Sequence, residues 1–99
     1  MLDTFTISTF SKHEGEKFLI HTDSGDTVEA ELTEVTARGS GSTPPGKREP
    51  FSLVFNIHGD TVLPQKIYRI EHDGLGTFDL FLVPIHKDAH GVQYEAVFT

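Results

Sequence analysis

Large apolar residues recur at every second position along most of this chain, the spacing that turns one face of a β-strand into a core. Residues 51–57 are the clearest case, with Phe51, Leu53, Phe55 and Ile57 on one face. Towards the end of the chain Val92, Tyr94, Ala96 and Phe98 alternate with Gln93 and Glu95. Residues 76–85 place Phe78, Leu80 and Leu82 on one side and Phe81, Val83 and Ile85 on the other. A strand apolar on both sides is expected to be central or covered. Pro84 has no N–H for a ladder and marks a bulge or a departure from pairing. Residues 66–72 read as a shorter strand with Tyr68 and Ile70 inward.

In the first half, residues 17–22 and 27–38 flank Asp23-Ser24-Gly25-Asp26, a hairpin signal. Val28, Ala30 and Leu32 share a face, but Val35 and Ala37 are one step out of phase. A one-residue slip of this kind predicts a β-bulge that lets a long strand bend. Ser11 and Glu14 have capping-box spacing and Gly15 could end a single helical turn, with Ser8 as the alternative cap. Residues 39–50 hold no hydrophobic side chain and include Pro44-Pro45, which predicts a long exposed loop. Further turns are expected at Gly59-Asp60, at 73–76 and at 87–91. The pattern predicts one all-β domain over residues 1–99, an antiparallel β-barrel or sandwich of six or seven strands with at most one short N-terminal helix. Closure into a barrel is favoured at this size because it removes exposed strand edges.

Composition narrows the partners. The net charge is −7, and an acidic body repels phosphate backbones, so neither nucleic acid nor an anionic membrane is an expected partner. The one basic cluster, Arg38, Lys47 and Arg48, sits in or beside the 39–50 loop and reads as solvated charge. There is no cysteine, which excludes disulfides, thiolate nucleophiles and thiolate zinc sites. Residues 1–20 have no basic start followed by an apolar run, and Leu80–Ile85 is far shorter than the ~20 residues of a membrane span, so the expected location is cytoplasmic.

Six histidines, His13, His21, His58, His72, His86 and His90, are the compositional oddity. A catalytic zinc wants three converging ligands and an open fourth position. His86 and His90 are four apart, but across a turn rather than on a helix. Two strands could bring His58, His72 and His86 together. The simpler reading is surface and loop-end histidines outside the core, with no metal and no cofactor. No G-x-S-x-G elbow is present, and Ser52 is the one serine within the expected strands. Gly39-Ser40-Gly41-Ser42 lacks the ending of a phosphate loop. The pairs Glu29/Glu31 and Glu71/Asp73 read as solubilising charge. Phe51, Phe55, Phe78 and Phe98 lie in register on apolar faces and read as core, whereas Phe81 faces the other way. No catalytic constellation emerges, and a non-enzyme is expected.

The second half carries a distinctive string of residues: Arg48-Glu49-Pro50-Phe51-Ser52-Leu53-Val54-Phe55, Leu63-Pro64-Gln65, Tyr68-Arg69-Ile70-Glu71-His72, Leu75-Gly76, Asp79-Leu80-Phe81-Leu82-Val83-Pro84 and Tyr94-Glu95-Ala96-Val97-Phe98. It resembles a small bacterial family catalogued as a domain of unknown function, whose genes tend to lie beside phage-tail-collar proteins of the microcystin-dependent type. The match is specific over 48–99 and looser over 1–36. The resemblance implies a neighbourhood of tail-like particles, and no functional residue comes with it. Two functions follow as expectations. The first is a non-catalytic structural or protein-interaction module, accessory to a phage-tail-like particle, with tail or collar proteins as partners and edge strands available for strand addition. The second is a small ligand-binding barrel using loop residues at one end, such as Arg38, Lys47, His58 and His72.

Overall fold

The computed structural model describes residues 5–37 and 50–98. Six strands follow one short helix: α1 (Ile7–Ser11), β1 (Lys17–His21), β2 (Thr27–Ala37), β3 (Phe51–Ile57), β4 (Lys66–His72), β5 (Gly76–Asp88) and β6 (Gly91–Phe98). All neighbours are antiparallel, and the order β1-β2-β3-β6-β5-β4 closes on itself as a barrel. The sandwich alternative is thereby set aside. The loop expected at 39–50 and the basic residues Arg38, Lys47 and Arg48 lie outside the described residues, Pro50 excepted.

Two long strands make the closure possible. The first part of β2 pairs with β1 and its second part with β3, and the ladder shifts register between Leu32 and Glu34. That is the bulge expected from the phase slip between Leu32 and Val35. β5 behaves in the same way: residues 76–82 run mostly against β4, residues 83–88 run against β6, and the register shifts between Pro84 and His86. A strand that serves two sheets must bend at a corner, and a bulge supplies the bend. Proline suits the corner because the ladder is already interrupted there.

The alternating residues point into the barrel as expected. Phe51, Leu53, Phe55, Phe78, Leu80, Leu82, Tyr94, Ala96 and Phe98 are all buried in one cluster with Phe18, Ile20, Ala30, Leu32, Tyr68, Ile70 and Val92. Each large side chain buried this way is worth roughly 1.5–3 kcal/mol, and together they fill the barrel. Phe51 and Phe98, directly paired across β3 and β6, stack with ring centroids 4.5 Å apart.

Two local expectations are corrected and a third is narrowed. The helix starts earlier than the Ser11 or Ser8 caps implied: Thr6 is the N-cap and Ser11 is its last residue. The Thr6 N–H donates to Thr9 Oγ1 at 2.9 Å, and Phe5 just before the cap packs edge-on against Phe10, a hydrophobic staple. The turn at 87–91 is shorter, because β5 runs on to Asp88 and leaves only Ala89 and His90 outside the strands. Of the two alternatives for β5, central or covered, it is central, lying between β6 and β4, while its outer side stays open among the described residues, for Phe81 and Ile85 are each about half exposed (50% and 49%). A closed barrel has one inside, so only one face of any strand can enter it.

Two different devices close the openings of the barrel. Phe10 of α1 sits against Phe51, Phe78 and Phe98, with centroids 5.4–5.9 Å apart. From the far end of β3 the connection 58–65 crosses to β4. There the Leu63 N–H donates to the Tyr94 hydroxyl at 2.8 Å and the Tyr68 hydroxyl donates to the Pro64 carbonyl at 2.5 Å. Among the described residues no helix is long and apolar enough to cross a membrane.

Candidate functional site

The chain leaving α1 turns sharply before it becomes β1. The His13 N–H bonds the Phe10 carbonyl and the Glu16 N–H bonds the His13 carbonyl, at 2.9 and 3.1 Å. The turn is tied to β2 from the other side, since Gly15 N–H donates to the Leu32 carbonyl (2.7 Å) and Leu32 N–H donates to the Glu16 carbonyl (3.0 Å). The backbone around His13 and Glu16 is therefore fixed by the sheet, although the side chains reach outwards. His72 ends β4 on the neighbouring side and is buried. Its ring stacks on Phe18, with centroids 4.4 Å apart.

These elements bring three ligand-type side chains together. Glu16 Oε1 lies 3.0 Å from His13 Nδ1 and 2.8 Å from His72 Nε2, and the three atoms are all within 4.8 Å of one another. The two imidazoles meet edge to face at 4.6 Å. On the far side of the His72 ring, Nδ1 accepts the Gly74 N–H at 3.0 Å. That bond fixes the tautomer: Nδ1 keeps its lone pair, and Nε2 carries the hydrogen donated to Glu16. Glu16 is held below the usual carboxylate range, first by the His72 hydrogen bond and then by that of His13. The group lies in an open cleft of about 590 Å³ that is also lined by Lys17, Glu29, Glu71 and Asp73.

Most of these partners were hidden in the sequence. The convergence of His58, His72 and His86 does not occur. His72 meets His13 instead, while His58 shares a different cleft with Asn56, Asp88 and His90. No histidine belongs to the apolar core cluster among the described residues, but His72 is buried beside it, because the last residue of β4 points inwards in the same phase as Tyr68 and Ile70. A visible signal did exist in His13 and Glu16, three residues apart just beyond a helical turn. The third ligand, 56 residues further on, requires the topology. Glu29, Glu71 and Asp73 rim this one cleft. Ser52 is buried on β3, paired with Thr36 and Val97 rather than with a base.

A second polar group surrounds Asp88. Its Oδ1 accepts the His90 N–H at 2.8 Å and its Oδ2 lies 3.3 Å from His86 Nε2. Asp88 is also held below its ordinary range, chiefly by the His90 backbone N–H. The Asn56 side chain donates to the His90 carbonyl at 3.1 Å, and Gln93 donates to Asn56. His86 through its ring and His90 through its backbone N–H thus share the Asp88 carboxylate, and the network ties the β5–β6 turn to β3.

The outer surface of β4, β5 and β6 carries the remaining unusual feature. Ile67 and Phe81 are directly paired across β4 and β5 and are 63% and 50% exposed. Val97 on β6 and Ile85 at the β5 bulge are each about half exposed as well. The Arg69–Asp79 pair, at 3.7 Å, lies two residues along the same ladder.

No curated protein and no solved structure matches the chain. A family model does match, over residues 5–98, which takes in all six strands and the helix. The chain belongs to that family, the domain of unknown function DUF6916.

Proposed function

We propose that this domain is a non-catalytic protein-interaction module that docks through the outer face of β4, β5 and β6. The observation that carries the reading is the Ile67–Phe81 pair, two large apolar side chains in direct register and at least half exposed, with Ile85 further along β5 and Val97 on β6 about half exposed as well. Scattered exposed hydrophobics are ordinary on a protein surface, but a contiguous apolar group with charged neighbours is a common mark of a contact face. The interior supports the same reading, because among the described residues it is packed with large apolar side chains.

Strand addition is the weaker route for docking. Residues 83–88 of β5 pair only with β6 among the described residues, yet that stretch carries Pro84, Lys87 and a bulge, the features that protect an edge from further pairing. Side-chain docking onto the sheet face fits better. The family resemblance supports looking for the partner among tail or collar proteins of a phage-tail-like particle, an argument by association rather than mechanism. Affinity capture from the native host, run in parallel with wild type and an Ile67→Ser/Phe81→Ser variant, tests the proposal. The expected result is a tail or collar protein retained by the wild type and lost by the variant, with the fold of the variant unchanged by circular dichroism. Identical captured sets would end it.

A further inference from the structure

We propose that His13, Glu16 and His72 form a three-ligand site for a divalent transition metal of the zinc class, and that its occupation is coupled to the β4–β5 turn through Gly74. The donor set is two imidazoles and one carboxylate, which suits zinc, cobalt(II) or nickel(II) rather than the all-oxygen preference of calcium or magnesium. In a tetrahedral site with metal–ligand bonds of about 2.0–2.1 Å, neighbouring ligand atoms lie roughly 3.3 Å apart. Glu16 Oε1 is already 2.8 and 3.0 Å from the two nitrogens. Only the imidazole-to-imidazole separation, bounded by 4.8 Å, has distance to close.

The surroundings are those of a built site with an open position. His72 is buried and stacked on Phe18, and the backbone of Gly15 and Glu16 is bonded to Leu32 on β2. The side chain of Glu16 is half exposed to the cleft, which leaves room for water as a fourth ligand. Glu29, Glu71 and Asp73 line the same cleft, and their charge raises the local concentration of cations.

The coupling follows from one hydrogen bond. Metal-bound histidines ordinarily donate their second ring nitrogen to an acceptor. Here His72 Nδ1 faces a donor, the Gly74 N–H. When a metal takes the Nε2 lone pair, the ring hydrogen must sit on Nδ1, where it would oppose the Gly74 N–H. Gly74 must then turn its N–H away. His13 exchanges its hydrogen from Nδ1 to Nε2 in the same manner, so no proton is gained or lost overall. Metal-free and metal-bound forms therefore differ in the 73–75 turn, next to the end of β4.

The test uses the whole chain, cobalt(II) and zinc, and two readouts. Cobalt(II) titration should give the visible absorption of a four-coordinate site at one equivalent. Zinc should shift the Gly74 amide in a 1H–15N spectrum far more than the amides around His86 and His90. His13→Gln, in a partly exposed turn, should weaken binding by at least about tenfold, on the scale lost when metal-site residues are changed, and should shift the zinc concentration needed to move the Gly74 amide upwards by the same factor. A His86→Gln/His90→Gln variant should bind as the wild type does. Three results would overturn the proposal: no cobalt spectrum at millimolar metal, binding unchanged in His13→Gln, or stoichiometric binding with a stationary Gly74 amide. Failure here leaves the outer-face interaction untouched, because the two surfaces share no residue.

Discussion

One opening of the barrel is filled by Phe10 of a five-residue helix, with Phe5 just before its cap, and the other is crossed by an irregular segment held by two tyrosine hydroxyls. The first closure is apolar contact, which is strong and tolerant of small displacements. The second depends on hydrogen bonds of fixed direction, each worth only about 1 kcal/mol net. Polar groups of opposite character accompany them. Beside the helix stand Glu16 and its imidazoles, whose donors are side chains; beside the crossing segment stands Asp88, whose main donor is a backbone N–H. The comparison teaches where adjustment is possible. A side-chain network can rearrange around a ligand while the aromatic plug holds the fold, whereas the backbone-anchored end has little freedom to do so.

The sharpest way to break the contrast is at the plug. Phe10→Ala should cost about 3–5 kcal/mol in chemical denaturation, because the helix is too short to stand alone and its one buried residue makes the contact. A loss below about 1 kcal/mol would mean that the helix is decoration and the barrel closes without it. At the opposite end the largest effect should come from Gly91. It has φ +133, and a Cβ there would lie 2.2 Å from the Ile57 carbonyl oxygen. Gly91→Ala must therefore strain the backbone and push β6 from the end of β3. Strain of this kind costs on the order of 1–3 kcal/mol, measurable by the same denaturation.

Tyr94→Phe should be milder. It keeps the ring in the core and removes the acceptor for the Leu63 N–H, leaving a part-buried donor that costs roughly 1–2 kcal/mol. Amide exchange should accelerate at Leu63 and its neighbours while the strands stay protected. Uniform acceleration through the barrel would show that the crossing segment opens only with the whole fold.

How much of this was legible in the sequence depends on which force set each feature. Alternation at 51–57, 76–82 and 92–98 revealed the core, because large side chains in period-two register have only burial to explain them. The slip between Leu32 and Val35 revealed a bulge for the same reason. Apolar residues on both faces of 76–85 left open whether the strand is central or covered; it is central, between β6 and β4, and Phe81 on its outer face is exposed, since a sequence cannot say whether an apolar outer face has a neighbour. The helix cap was misplaced because Ser8, Ser11 and Thr6 offer equivalent hydroxyls, and the choice is made by Phe5 and Phe10 reaching the barrel opening. The His13–Glu16–His72 group was illegible for a topological reason. It is assembled by β1 pairing with β4, a contact between residues about fifty positions apart.

The smallest expected effects concern the two carboxylates, and they test the contrast most directly. Each is depressed in the folded protein, so each contributes stability that is present above its unfolded value and is lost as pH falls through that value towards the lower folded one. For Glu16 the loss begins near the ordinary 4.5, and for Asp88 near the ordinary 3.8. Glu16→Gln and Asp88→Asn should each flatten the acid limb of a stability–pH curve in its own window: the variant is modestly less stable than the wild type at pH 7, where the carboxylate's contribution is fully present, and the two converge at the acid end, where it is gone. The discriminating step is to change the donors instead. His13→Gln removes one of the two imidazole hydrogen bonds to Glu16, so the Glu16 carboxyl carbon, followed by NMR, should titrate at higher pH than in the wild type. His86→Gln should move Asp88 much less, because the His90 backbone N–H that holds it down is still in place. Equal movement of both carboxylates would mean that general charge near each end, rather than the identity of the donor, sets their ionisation. The side-chain end would then have no more freedom to respond than the backbone-anchored one.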